Sequence, residues 1–286
     1  MSYLKAGYIE NLTVARKIET GYVLTDGKQE VLLHMNEASK ELADQEAVDV
    51  FLYQDKKGQL VATMALPELE IGTYDWVKVV DKVKNLGVFV DIGIQKHILV
   101  SKDELPLLEK VWPDQGDELF VTLTLDKKGR LLAKPVTEDI VVDESDKAPD
   151  TLKNETIGGQ VYRTTKIGTF ILTEEGYRGF IHQSERKEEP RLGQWVEGRV
   201  IEVKENGTLN VSLRPLKQEG MKEDAEAILE YLEEHQGEMP FSDKSDPDSI
   251  RDTFKLSKAA FKRALGKLMK EGKIEQRGGK TFLKSK

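Results

Sequence analysis

The 286-residue chain contains no cysteine, which excludes disulfides, thiolate nucleophiles and cysteine-based zinc sites. Histidine is scarce: the four at positions 34, 97, 182 and 235 are far apart and have no metal-ligand spacing. No apolar run approaches the roughly 20 residues that a membrane-spanning helix needs. The opening residues Met1-Ser2-Tyr3-Leu4-Lys5 carry no apolar secretory core. No glycine cluster cradles phosphate, since Gly158-Gly159 and Gly278-Gly279 lack the neighbours that such loops require. These absences predict a cytoplasmic, non-enzymatic protein with no cofactor, no bound metal and no membrane partner.

An excess of positive charge is also missing. The net charge is −8, which argues at first against a polyanionic partner. The distribution reverses that impression. From Arg251 to Lys286 there are 12 Lys and Arg against 3 Asp and Glu, whereas Glu138 to Lys153 holds 6 acids against 2 bases. A basic tail and an acidic connector hide inside the total.

What the chain does have is a repeat. Gly159-Gln160-Val161-Tyr162-Arg163, Gly168-Thr169-Phe170-Ile171, Gly179-Phe180-Ile181-His182, Gly198-Arg199-Val200-Ile201 and Leu209-Asn210-Val211-Ser212 read as five short strands. A second copy runs from Gly72 through Gly87-Val88-Phe89-Val90, His97-Ile98-Leu99-Val100 and Leu119-Phe120-Val121 to Leu131-Leu132-Ala133. A first, eroded copy runs from Gly7-Tyr8-Ile9 to Gln59-Leu60-Val61. Asp55-Lys56-Lys57-Gly58 and Asp126-Lys127-Lys128-Gly129 are matching hairpin turns. Five strands in a short unit suit the oligonucleotide/oligosaccharide-binding (OB) barrel, although strand number alone leaves other small Greek-key or SH3-like barrels open.

The third copy resembles the S1 RNA-binding domain, an OB-fold. Gly159–Val161, Gly168–Ile171, Gly179–Ser184 and Val211–Arg214 follow that family's signature in order. The resemblance implies RNA contact by Phe170 and Phe89 as stacking rings, by His182 and His34, and by Arg130 beside the hairpin Asp126. Exposed rings offer flat faces to unpaired bases, worth about 1–3 kcal/mol per base. Parity supports this, because Phe89 cannot share the interior with both Val88 and Val90. The signature is incomplete in every copy. Ile167 and Leu86 stand where an aromatic is usual, Lys204 and Thr208 replace the hairpin Asp and Arg, and Val100 is read at the histidine position of copy two. Each barrel alone is therefore expected to bind weakly. Tyr162, Arg163, Lys166, Tyr177 and Arg178 add further RNA-binding candidates, since arginine beside an aromatic suits both stacking and phosphate pairing.

The segment 138–153 is acidic, and is expected to solvate itself as an interdomain linker without a core. After Gly220 the apolar period changes from 2 to 3.6. Glu223–Glu234 predicts a first helix, Pro247–Phe254 a second with proline in its first turn, and Ser257 caps a third that ends before Gly272. A hairpin with the tip Arg277-Gly278-Gly279 comes next. This pattern resembles the winged helix. Lys258, Lys262, Arg263, Lys267 and Lys270 on the third helix, with Arg277 and Lys280 on the wing, become phosphate-contact candidates.

The expected fold is thus mainly β: three tandem five-stranded OB-fold (S1-like) barrels at 1–66, 67–137 and 154–217, then an α+β winged-helix domain at 221–286. This arrangement resembles the bacterial conserved virulence factor B (CvfB/YitL-like) family. The resemblance implies a monomeric RNA-binding regulator of gene expression that binds single-stranded RNA through barrel 3 and the winged helix. A DNA-reading transcription regulator and a ribosome- or protein-binding scaffold are the other readings of the same domains.

Overall fold

The computed structural model describes residues 3–215 and 217–284, so Met1, Ser2, Leu216, Ser285 and Lys286 of the expected domain spans lie outside the described residues. Residues 1–213 form one compact unit and residues 214–286 another.

The first unit holds three closed barrels. Barrel 1 comprises Ile9–Ile18 (β1), Gly21–Thr25 (β2), Glu30–His34 (β3), Ala47–Gln54 (β4) and Leu60–Thr63 (β5). Barrel 2 comprises Asp75–Val83 (β6), Gly87–Asp91 (β7), Ile98–Ser101 (β8), Glu118–Leu125 (β9) and Leu131–Pro135 (β10). Barrel 3 comprises Thr156–Thr164 (β11), Gly168–Leu172 (β12), Arg178–His182 (β13), Trp195–Val203 (β14) and Leu209–Ser212 (β15). Each closes in the cyclic order first-second-third-fifth-fourth. The third and fifth strands pair in parallel, as in Leu32↔Val61, Leu132↔Leu99 and Gly179↔Leu209, and all other pairs are antiparallel. This is OB topology.

A bulge in the first strand recurs in every barrel, between Val14 and Arg16, Val79 and Asp81, and Val161 and Arg163. It bends one long strand so that its first half pairs with the fourth strand and its second half with the second. Inward residues such as Val88, Val90, Val121, Ile171, Ile181 and Val200 are fully buried.

The barrels are packed together. Phe51, Tyr53 and Val61 of barrel 1 belong to the same apolar cluster as Val77, Val88 and Leu131 of barrel 2. Leu192, in the loop before β14, enters that cluster from barrel 3. Beside it the Glu118 amide donates to the Gly193 carbonyl at 2.9 Å, and Arg191 grips Asp117 with two nitrogens at 2.9 and 3.0 Å. Gly193 has φ +80°, and a Cβ there would lie 2.8 Å from the Glu118 carbonyl oxygen. Glycine is required at this junction by both conformation and space.

The acidic segment does not behave as a solvated linker. Glu138–Glu144 forms a short helix (α1), and Val141 on it is fully buried. Ala148 joins the core of barrel 3, and the Asp146 and Ala148 amides donate to Gly176 at 2.9 Å and Gly207 at 3.1 Å. Burying a valine contributes about 1.5–3 kcal/mol, which helps to dock a short acidic segment whose charges, Glu138 apart, face water. Charge composition alone hid this, because two apolar residues decide it.

The second unit contains Lys217–Glu234 (α2), Glu238–Met239 (β16), Pro247–Phe254 (α3), Lys258–Lys270 (α4), Ile274–Arg277 (β17) and Lys280–Leu283 (β18), with sheet order β16-β18-β17. Helix α2 begins six residues before the expected Glu223. Asp246 caps α3, accepting from the Asp248 and Ser249 amides, and Ser257 caps α4, accepting from the Ala260 amide at 3.2 Å. Ile228, Leu232, Ile250, Phe261, Leu265 and Leu268 bury their side chains in one core. The wing turns at Gly278-Gly279, both with positive φ. Among the described residues no helix is long and apolar enough to cross a membrane.

Candidate nucleic-acid interface

In barrel 3, β12 and β13 place Phe170 directly opposite Phe180. Their neighbours Thr169, Ile171, Gly179 and Ile181 are buried, so both rings face outward. The ring centroids are 4.9 Å apart. His182 lies two residues along the same face, with its ring edge-on to Phe180 at 6.3 Å. His182 Nδ1 accepts from the Ser184 amide at 3.2 Å, which leaves Nε2 to carry the proton of the neutral ring. Gly168, paired with His182, makes this packing possible: a Cβ there would meet the Phe180 ring at 2.5 Å.

Two cations flank the rings. The Arg163 guanidinium lies 5.6 Å from the Phe170 centroid, and Lys204 Nζ 5.9 Å from the Phe180 centroid. Lys166 is exposed in the loop between β11 and β12. Rings for bases beside cations for phosphates are the two components of a single-stranded nucleic-acid surface.

Strand register shows why the other barrels differ. The positions held by Arg163, Phe170, Phe180 and His182 are Arg16, Val23, Leu32 and His34 in barrel 1. In barrel 2 they are Asp81, Phe89, Leu99 and Ser101. The histidine position of barrel 2 is therefore Ser101, not Val100, which is fully buried in the core. Phe89 is half-buried and outward as parity required, yet it faces a carboxylate and a leucine rather than an arginine and a second ring. His34 is half-buried, and beside it Val23 is only 8% exposed; Arg16 is bound to Glu30 at 2.6 Å. Arg130 pairs with Asp126 at 2.7 Å. Backbone amides of Arg130 and Lys128, with that guanidinium, hold the Asp126 carboxyl below its usual range.

Three expected contact residues are placed otherwise. Tyr162 sits in the first-strand bulge and is 6% exposed, so its ring is no stacking surface. Its hydroxyl reaches Glu138 at 3.2 Å, and burial pushes its pKa up to about 12. Tyr177 packs against the barrel 3 core and bridges to Asp146. Arg178 is hydrogen-bonded to Glu138 and to the Tyr162 hydroxyl. Sequence reasoning missed Phe180, Lys204 and Glu138 as parts of this face. The parity that exposes Phe170 also exposes Phe180, so that ring was recoverable. Glu138 is distant in sequence and had no local signal.

In the second unit Lys262, Arg263 and Lys270 are exposed on α4, while Lys258 and Lys267 are half-buried. Lys262 lies 4.0 Å from Asp243. On the wing Arg277 stacks over Phe282 at 4.4 Å, and Lys280 pairs with Glu238.

Three OB barrels, one carrying an aromatic and cationic face, succeeded by a winged helix, define a chain of tandem S1-like and winged-helix nucleic-acid-binding domains. Family models match in the same order: "S1 domain" at residues 6–65, "CvfB first S1-like domain" at 74–134, "Virulence regulatory factor CvfB, second domain" at 142–215 and "CvfB-like winged helix domain" at 226–283. The chain belongs to the conserved virulence factor B family. It is 48% identical over 281 residues to the uncharacterized protein YitL of Bacillus subtilis, covering 98% of this chain and 94% of the relative. It is 39% identical over 287 residues to conserved virulence factor B of Staphylococcus aureus (strain N315), covering 98% and 94%. Among solved structures it resembles a multidomain protein with nucleic acid binding domains from Streptococcus pneumoniae, with TM-score 0.65, 36% identity and 98% coverage of both chains.

Proposed function

We propose that this protein is a non-catalytic, monomeric, cytoplasmic regulator of gene expression that binds single-stranded RNA. The observation that carries this reading is the outer face of barrel 3, where Phe170, Phe180 and His182 lie together with Arg163 and Lys204. Barrels 1 and 2 lack that combination. Rings spaced along a strand pair suit unpaired bases, which a duplex keeps stacked inside.

The cations of α4 supply a second contact for the RNA backbone. The two units are consecutive in one chain, so binding by one raises the effective concentration of the other, and two weak sites act as a stronger one. The same cations also support duplex DNA binding through α4, the recognition helix of winged-helix DNA readers. The test is a titration of the full chain with labelled single-stranded RNA and duplex DNA of equal length at two salt concentrations. Tighter binding of single-stranded RNA at both is expected; tighter binding of the duplex overturns the proposal.

A further inference from the structure

Glu138 belongs to α1, yet its carboxylate is held by barrel 3. Its Oε2 accepts from Arg163 Nη1 at 3.2 Å. Its Oε1 accepts from the Tyr162 hydroxyl at 3.2 Å and from Arg178 Nη2. Three donors on two strands thus converge on one anion. The Arg178 side chain is 17% exposed, that of Glu138 28% and that of Arg163 49%. Arg163 also lies over the Phe170 ring, so the notch borders the stacking face.

We propose that this notch is a phosphate subsite for single-stranded RNA, occupied in the free protein by the chain's own Glu138 carboxylate. The proposal rests on the reading of the barrel 3 face as an RNA surface. The recognition chemistry is specific. Two guanidinium groups and a phenol hydroxyl present donors to a two-oxygen anion, and a carboxylate and a phosphodiester both offer two acceptor oxygens. Exchange of one for the other never leaves Arg178 partly buried and unpaired, which would be costly. A base stacked on Phe170 brings its backbone to the side where Arg163 lies. Only Glu138 and the backbone next to it need to move, because the Val141 and Ala148 side chains anchor the remainder of the acidic segment. Glu138 thereby sets the affinity of the face and rejects ligands that cannot supply a phosphate.

The test uses the full chain and a fluorescent oligouridylate of about 12 nucleotides, within the range an OB surface covers. Glu138→Gln is compared with Asp139→Asn, which removes the same charge from the adjacent, exposed residue. Glu138→Gln is expected to tighten binding about three- to tenfold with an unchanged dependence of log K on log salt, because the same phosphates are neutralised in both complexes. Asp139→Asn should shift affinity by less than about twofold. Adding Arg178→Ala to Glu138→Gln should abolish the gain. A Glu138→Gln protein that binds no tighter than the Asp139→Asn protein overturns the proposal, as does a gain that survives Arg178→Ala. Amide exchange of the unmodified chain gives an independent reading should the variant fold poorly. Saturating oligouridylate should speed exchange of the Val141 amide, which donates to the Thr137 carbonyl at 3.3 Å, and unchanged or slower exchange there overturns the proposal. Phe170→Ala in the same titration separates the two failures. If it weakens binding while Glu138→Gln has no effect, only the notch is wrong; if it leaves binding intact, the RNA reading of the face is wrong.

Discussion

Replacing Phe170 with alanine tests the face at its centre. The ring is half-buried, lies 4.9 Å from Phe180 and carries Arg163 at 5.6 Å. A base stacked on such a ring contributes about 1–3 kcal/mol, so Phe170→Ala should weaken single-stranded RNA binding about 5- to 150-fold. The fold should tolerate the change. Phe170 lies outside the barrel 3 core cluster, and removing its two ring contacts, to Phe180 at 4.9 Å and Tyr162 at 6.1 Å, with one cation–π interaction costs on the order of 2–4 kcal/mol. Phe89→Ala is the matched control. Phe89 has the same register position in barrel 2 but stands between Asp81 and Leu99. A carboxylate beside the ring repels the backbone that a stacked base would bring, so the expected change is within about twofold. Fluorescence anisotropy at two salt concentrations provides the measurement. Phe170→Ala removes no phosphate contact, so affinity should fall equally at both salts with an unchanged slope. Phe170→Ala binding like the unmodified chain, or Phe89→Ala matching its loss, would refute the reasoning.

Three other perturbations act on named contacts. Alanine at Lys258, Lys262 and Lys267 together should weaken RNA binding and flatten the salt dependence by about 0.7 for each phosphate no longer neutralised; an unchanged slope removes α4 from the interface. Gly193→Ala forces a side chain into a positive-φ position 2.8 Å from the Glu118 carbonyl oxygen and should destabilise the first unit by about 1–3 kcal/mol in denaturant unfolding. Stability equal to the unmodified chain would contradict the packing described at that junction. Tyr162 has a folded pKa of about 12, above the value of about 10 for a free tyrosine. Folding therefore favours its neutral form, so the contribution is whole below pH 10 and lost as pH rises through 12, up to ~3 kcal/mol. Tyr162→Phe, which cannot ionise, should flatten the fall in melting temperature between pH 10 and 12, and an unaltered profile would refute the assignment.

The barrels were legible because their signals are local. Alternation, glycine turns and the Asp-x-x-Gly hairpins lie within a few residues of one another, and so does the switch to a 3.6 period at the winged helix. The same alternation puts Phe89 outward, whereas Phe170 and His182 are legible through the S1 resemblance. What escaped depends on distant partners or on one irregular residue. Tyr162 alternates with Val161 in the sequence, but the bulge between Val161 and Arg163 breaks the pattern: Val161 enters the barrel core, while Tyr162 is buried outside that cluster against Glu138 and Arg178, and Arg163 is exposed. Tyr177 and Arg178 read as a loop pair free to meet RNA, but Asp146 and Glu138 occupy them from the preceding segment. Strand β16 has two residues and pairs only because β18 is beside it, so no periodicity marks it.

Barrels 1 and 2 share a wall, and the strand that forms it in barrel 1 is covered on both sides. In β4 the run Val48, Val50, Phe51, Leu52, Tyr53 is buried almost without alternation, the pattern of a strand covered on both faces. One side fills barrel 1, where Val50 and Leu52 lie, while Phe51 and Tyr53 join the cluster of barrel 2. The equivalent β14 of barrel 3 begins by alternating, with Trp195 and Glu197 exposed and Val196 and Gly198 buried. A strand whose outer side chains are engaged by a neighbouring barrel has none to offer a ligand. That covered wall is β4, whereas the outward face in question lies on β2–β3 in barrel 1 and on β12–β13 in barrel 3, where Val23 and Leu32 stand opposite each other in the one and Phe170 and Phe180 in the other. The barrels differ through the side chains on their second and third strands: a ring pair in barrel 3, a valine and a leucine in barrel 1, a phenylalanine and a leucine in barrel 2.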